Sequence, residues 1–165
     1  MGRPRTVTGT GAAAGRAAAA ASLAPTVLLA DADADARAMI RDALLEGTGP
    51  CVLRTVESAG ELERYLRDPN PANPKPAVVL VDLGLPDEDG VCAVARIKRD
   101  SDLRHIPVVV LASGLDATAT AAAYEAGANT VIPKPATFIE LVRLIKVLTA
   151  YWLDAAALPP QRELP

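Results

Sequence analysis

Short apolar runs alternate with amphipathic stretches along most of this chain, and that alternation restricts the fold more than any other feature. Thr26–Ala30, Cys51–Val56, Ala77–Val81, His105–Leu111 and Thr130–Ile132 are brief and mainly apolar, as strands buried in a sheet are. Each is followed by a segment at helical spacing. Arg37, Met39, Ile40, Ala43 and Leu44 mark the first, stopped by Gly47 and Gly49. Ser58 with Glu61 forms a capping box ahead of Leu62, Tyr65 and Leu66. Val91–Arg99, Ala117–Ala126 with Gly127 behind it, and Thr137–Ala150 complete the set. Asp68–Pro76 holds four prolines and two asparagines and is a loop. Five βα units in succession predict an α/β protein with a parallel sheet and helices on both faces. Crossovers are right-handed, and five units favour an open sheet over a closed barrel.

An open sheet of this kind binds ligands at the carboxyl ends of its strands, near the point where strand order reverses. The residues that follow the strands are therefore the candidates: Asp31, Asp82, Ala112 with Ser113, and Lys134. Topology alone gathers two carboxylates and one lysine. Carboxylate oxygens are hard ligands that suit Mg2+. An aspartate so placed can act as a nucleophile toward a phosphoryl group, with metal and lysine neutralising the transferred oxygens. Asp31 taken alone reads as a helix cap. Asp82 does not, because it lies well ahead of its helix and is followed by a tight Gly84-Leu85-Pro86 turn.

The rest of the composition excludes more than it suggests. At 165 residues, half of them apolar, the chain suits one globular domain with tails. A net charge of −3 without a basic stripe argues against nucleic-acid binding and against an anionic membrane surface. The apolar runs are too short to span a bilayer. His105 is the only histidine, so a histidine-based metal site or triad is all but excluded. Cys51 and Cys92 have no metal-ligand spacing and read as buried thiols. Residues 1–24 are rich in Ala and Gly, lack any acidic residue, and are expected to be a disordered tail. Asp31, Asp33 and Asp35 copy the start of an EF-hand loop, but Ala36 and Asp42 stand where Gly and Glu are required. The same Asp-x-Asp start invites comparison with haloacid-dehalogenase-type phosphatases, yet Ala112 and Ser113 occupy the place of their later acids.

Several stretches carry a family resemblance. Val79-Leu80-Val81-Asp82-Leu-Gly-Leu-Pro86-Asp-Glu-Asp-Gly90, Ile106-Pro107-Val-Val-Val-Leu111 and Gly127-Ala128 through Pro133-Lys134-Pro135 resemble the receiver domains of two-component response regulators. The resemblance implies a flavodoxin-like (βα)5 doubly wound parallel sheet of strand order 2-1-3-4-5, with residues 25–150 as the receiver domain. It implies a stand-alone, cytoplasmic phosphoacceptor rather than an enzyme, taking a phosphoryl group on Asp82 from a histidine kinase. Lys134 would contact the phosphate. Asp31, Asp82 and the Gly84 carbonyl would hold Mg2+, with Asp33 as a further candidate ligand. The end of the chain, Leu148 to Pro159, is similar to the tails of single-domain response regulators paired with bacterial and cyanobacterial phytochromes, as is the proline-bearing insertion before the third strand. That similarity implies a phytochrome as the partner kinase.

Three positions depart from the family pattern. Ala32 replaces the second acid after the first strand, which weakens the expected metal site. Ala112 replaces the hydroxyl residue ending the fourth strand, with Ser113 one place later as a substitute. Val131 stands where the aromatic switch residue is expected. The alternative reading is therefore a degenerate receiver that docks partners regardless of phosphate. In the last helix Phe138, Leu141, Val142, Ile145 and Leu148 form the core stripe, while Leu144, Val147 and Tyr151 form a second one. A homodimer through this helix and the tail of residues 151–165, Trp152 included, is the expectation.

Overall fold

The computed structural model describes residues 24–47, 49–114 and 116–158, so the N-terminal tail and the last seven residues of the C-terminal tail lie outside the described residues. Among the described residues there are five strands: β1 (Thr26–Ala30), β2 (Val52–Val56), β3 (Val78–Asp82), β4 (Val108–Ala112) and β5 (Thr130–Pro133). They alternate with α1 (Ala34–Gly47), α2 (Ala59–Arg67), α3 (Gly90–Arg99), α4 (Ala117–Glu125) and α5 (Phe138–Thr149). All four pairings are parallel, in the order β2-β1-β3-β4-β5. This is the doubly wound flavodoxin-like arrangement, with order reversing between β1 and β3.

Every residue of β1, β3 and β4 is buried. Side chains alternate between the two faces, as the pleat requires. Leu28, Val79, Val81, Val108 and Val110 meet Leu62 and Leu66 of α2, Ala93, Val94 and Ile97 of α3, and Ala123 of α4. Val27, Leu29, Leu80, Val109 and Leu111 meet Ile40, Ala43 and Leu44 of α1 and Leu141, Ile145 and Leu148 of α5. Scarce aromatics are no handicap, because branched aliphatics fill both layers.

Local chemistry sets the helix ends. Ser58 Oγ accepts from Glu61 N at 3.1 Å, while Glu61 reaches one residue further than a capping box requires, to Glu57 N at 2.8 Å. Asp89, Asp116 and Thr137 cap α3, α4 and α5. Gly127 takes φ +102° behind α4, donating to the Tyr124 carbonyl, which is the left-handed termination its position predicts.

Three expectations need correction. Phe138 opens α5 at the carboxyl edge of the strands and is 41% exposed rather than part of the core stripe. Cys92 is exposed on α3, not buried. The last helix also does not stop at Ala150: it runs on through a π-helical segment, Ala150–Ala155, that seats Trp152 and Leu153 against the core beside Leu144. No helix among the described residues is long and apolar enough to cross a membrane.

Lys98 ties the opposite end of the sheet together. Its Nζ donates to the carbonyls of Arg104 and Ile106 and to Asn129 Oδ1. Burial lowers its pKa to about 8 from 10.5. Between those two values the unfolded chain binds more protons than the folded one, so this group adds stability as pH rises through that window. An NMR titration of lysine Nζ resonances should find one midpoint near 8, absent in Lys98→Arg.

Candidate functional site

β1 and β3 end side by side, and each delivers a buried aspartate to the same edge: Asp31 just past β1 and Asp82 as the last residue of β3. β5 delivers the countercharge. Its register against β4 pairs Pro133 with Ala112, and the next backbone amide, Lys134 N, donates to the Ala112 carbonyl at 2.7 Å. The lysine side chain then spans both carboxylates, with Nζ 2.8 Å from Asp31 Oδ2 and 2.8 Å from Asp82 Oδ1. Asp31 is therefore not a helix cap. Asp33 takes that role, its Oδ1 accepting from Asp35 N and Ala36 N at the start of α1.

The electrostatics follow from this geometry. Burial works against the Lys134 charge, but hydrogen bonds and attraction from Asp31 and Asp82 outweigh it and raise its pKa above the ordinary lysine value. Asp31 Oδ1 also accepts from Asp33 N, and Asp82 Oδ2 from Gly84 N at 2.9 Å. Asp82 Oδ1 differs. Its contact is the Lys134 ammonium at 2.8 Å, and no backbone amide reaches it among the described residues.

A carboxylate oxygen facing a lysine, beside a second carboxylate, suits a hard cation or an incoming phosphorus atom. The donors fit Mg2+ in kind: Asp31, Asp82 and the carbonyl of Gly84 would each offer oxygen. In number they are few, since no three His, Cys, Asp or Glu side chains gather into a metal site among the described residues. Ala32, exposed beside Asp31, supplies nothing. Ser113 is exposed after β4, and no hydrogen bond to Asp82 or Lys134 is present for it among the described residues. Val131 packs partly buried against the core, and its N–H donates to the Tyr124 hydroxyl at 3.2 Å.

Sequence reading missed two contributors. Arg37, noted only for its helical spacing, donates through Nη1 to the carbonyls of Asp31 and Ala32 and pairs through Nη2 with Glu57. Asp87, inside the motif but given no role, accepts from the first two amides of α2. Neither interaction has a sequence signal, because each joins segments that only the fold brings together.

A sheet of this order, with buried carboxylates at its switch point and a lysine between them, is the arrangement of a receiver domain of two-component signalling. Residues 27–146 match the response regulator receiver domain family, and the chain belongs to that family. Receiver domains bind Mg2+ and interact with histidine kinases. Among sequences, the chain is 34% identical over 87 residues to the response regulator Rcp1 of Synechocystis sp., covering 53% of this chain and 59% of Rcp1. It spans about half the length of the curated relatives it matches. Among solved structures, it is similar to the phosphorylated cyanobacterial phytochrome response regulator RcpA, with TM-score 0.76, 33% identity, and coverage of 82% of this chain and 99% of RcpA. Rcp1 in its Mn2+-bound form gives TM-score 0.74 and 26% identity, covering 82% of this chain and 99% of that one. RPA3017, a response regulator in red light signaling of R. palustris, gives 0.76 and 29%, covering 82% of this chain and 98% of that one.

Proposed function

We propose that this receiver takes a phosphoryl group on Asp82 from a phytochrome-type histidine kinase and signals by protein contact in the cytoplasm. The observation that carries this reading is the buried Asp82 Oδ1, held 2.8 Å from the Lys134 ammonium that also meets Asp31. That oxygen attacks phosphorus, and a P–O bond forms as the donor's P–N bond breaks. The electron pair leaves on the imidazole nitrogen, which takes up a proton. Lys134 turns from the carboxylate toward the developing phosphoryl oxygens without changing its charge. Mg2+, when bound through Asp31, Asp82 and the Gly84 carbonyl, supplies further charge neutralisation; affinity is reduced by the absence of an acid at Ala32. The likeness to RcpA, Rcp1 and RPA3017 supports a red-light kinase as the donor.

Output is proposed to pass through a homodimer formed by α5 and the tail. Val147 and Tyr151 are 68% and 56% exposed, and Ile139 extends their surface. Leu144 and Trp152 lie half-buried beneath and shape it, with the Tyr151 and Trp152 rings in a T-shaped contact at 4.9 Å. A protein contact, rather than nucleic acid, fits this apolar surface.

Acetyl phosphate with Mg2+, followed by intact mass, tests the assignment. The parent should gain one phosphoryl group, and Asp82→Asn should lower labelling at least about 100-fold. Gel filtration should find that variant still dimeric. One specific observation favours a second reading, a docking module indifferent to phosphate: Ala112 and Val131 leave the site without a hydroxyl or an aromatic to sense the phosphoryl group. An unlabelled parent at millimolar Mg2+ would select it.

A further inference from the structure

We propose that Asp87 is a positioning residue that ties the Asp82 loop to the first turn of α2; the proposal rests on the phosphoacceptor reading of Asp82. Asp87 shares its loop with Gly84 and is exposed, yet both of its carboxylate oxygens are engaged. Oδ1 accepts from Ala59 N at 2.8 Å and Oδ2 from Gly60 N at 2.9 Å. These amides open α2 and have no partner within the helix. Ser58, the local cap, serves a different amide, that of Glu61. The helix thus divides its free donors between a neighbour in sequence and a distant loop.

Sequence and charge both suit the tie. A Cβ on Gly60 would lie 3.2 Å from Asp87 Oδ2, so glycine gives the carboxylate room to reach both amides. The bonds from Gly60 and Ala59 hold the Asp87 carboxyl below the usual range, which keeps both oxygens as acceptors at neutral pH.

The same turn of α2 is also joined to the other carboxylate loop. Glu61 accepts from Glu57 N, Glu57 pairs with Arg37, and Arg37 holds the carbonyls of Asp31 and Ala32. One helix terminus therefore sets the spacing of the loops that carry Asp31 and Asp82. With Ala32 contributing no ligand, the placement of the remaining oxygens matters more, since small displacements of reacting groups cost large factors in rate.

Asp87→Ala, Asp87→Asn and Ser58→Ala separate this role from simple helix capping, because Ser58 caps the same terminus without touching the loop. Two readouts are compared: amide hydrogen exchange across residues 83–90, and the rate of acetyl phosphate labelling as a function of Mg2+ concentration. Asp87→Ala should speed exchange of Gly84 and Gly90, lower labelling about tenfold, and raise the Mg2+ needed for half-maximal labelling. Asp87→Asn, retaining one acceptor, should recover part of each, and Ser58→Ala should match the parent. Unchanged loop exchange in Asp87→Ala, or equal effects of Asp87→Ala and Ser58→Ala, overturns the proposal. An unlabelled parent overturns the phosphoacceptor reading instead, and the exchange comparison still decides the tie.

Discussion

Replacing Lys134 with methionine should destabilise the fold by about 3 kcal/mol, near the low end for removing one partner of a buried charge cluster. Asp31 and Asp82 have side chains only 2% and 10% exposed, and Lys134 is the cation in contact with both. Methionine keeps the length and apolar stem of lysine, so what is lost is the charge. The two carboxylates would then repel one another in a poorly solvated place. Because the folded state raises the lysine pKa above 10.5, its contribution is fully present below that value and is lost only as pH rises through the higher folded one. Urea melts of parent and variant should therefore differ by the same amount across neutral pH and converge only in strong alkali. Added Mg2+ should stabilise the variant more than the parent, since a bound cation restores positive charge where the ammonium stood. Phosphoryl labelling of the variant should fall about 100-fold. Equal stability of the two proteins would mean that the carboxylates are better solvated than their burial indicates.

The second large effect is expected at Gly90. A Cβ there would stand 2.6 Å from the Asp82 carbonyl oxygen and 2.7 Å from Leu83 Cα, both of them backbone and unable to swing aside. Gly90 N also donates to the Leu83 carbonyl at 3.1 Å, so the first turn of α3 rests on the back of the peptide that carries Asp82. Gly90→Ala must push α3 and Asp82 apart. A cost of about 3 kcal/mol is expected, at the upper end for overpacking a closed interior, together with slower labelling. Gly49→Ala is the control: nothing lies within 4 Å of the added methyl group, and that variant should melt with or above the parent.

Much of this architecture was legible in the amino-acid order. Runs such as Val78–Val81 are apolar on both faces, which only a strand covered by two helix layers tolerates, and the strand-end rule then brought Asp31, Asp82 and Lys134 together. Less legible was the division of labour among neighbouring acids. Asp31 and Asp33 look interchangeable on paper, yet one meets a lysine from the last strand and the other caps the next helix. Arg37, Asp87 and Glu57 read as ordinary surface charges because their partners lie in other loops. Phe138 fits the helical stripe by angle, but as the first residue of α5 it lies at the strands' edge. Periodicity reports direction around a helix, not how far along it the core extends.

Asp31 and Lys134 are separated by 103 positions, and they meet only when β5 has joined the sheet. A ribosome that has released the chain as far as α4 has made both carboxylates but not the ammonium that holds them together. Until the final βα unit docks, Asp82 stands in an unfinished mouth, with neither its countercharge nor the backbone bond that seats Lys134 on Ala112. Assembly of the site thus waits for the fifth strand. A half-made or clipped copy would lack the ammonium that holds the two carboxylates, so the site is whole only in a chain whose fifth strand has joined the sheet.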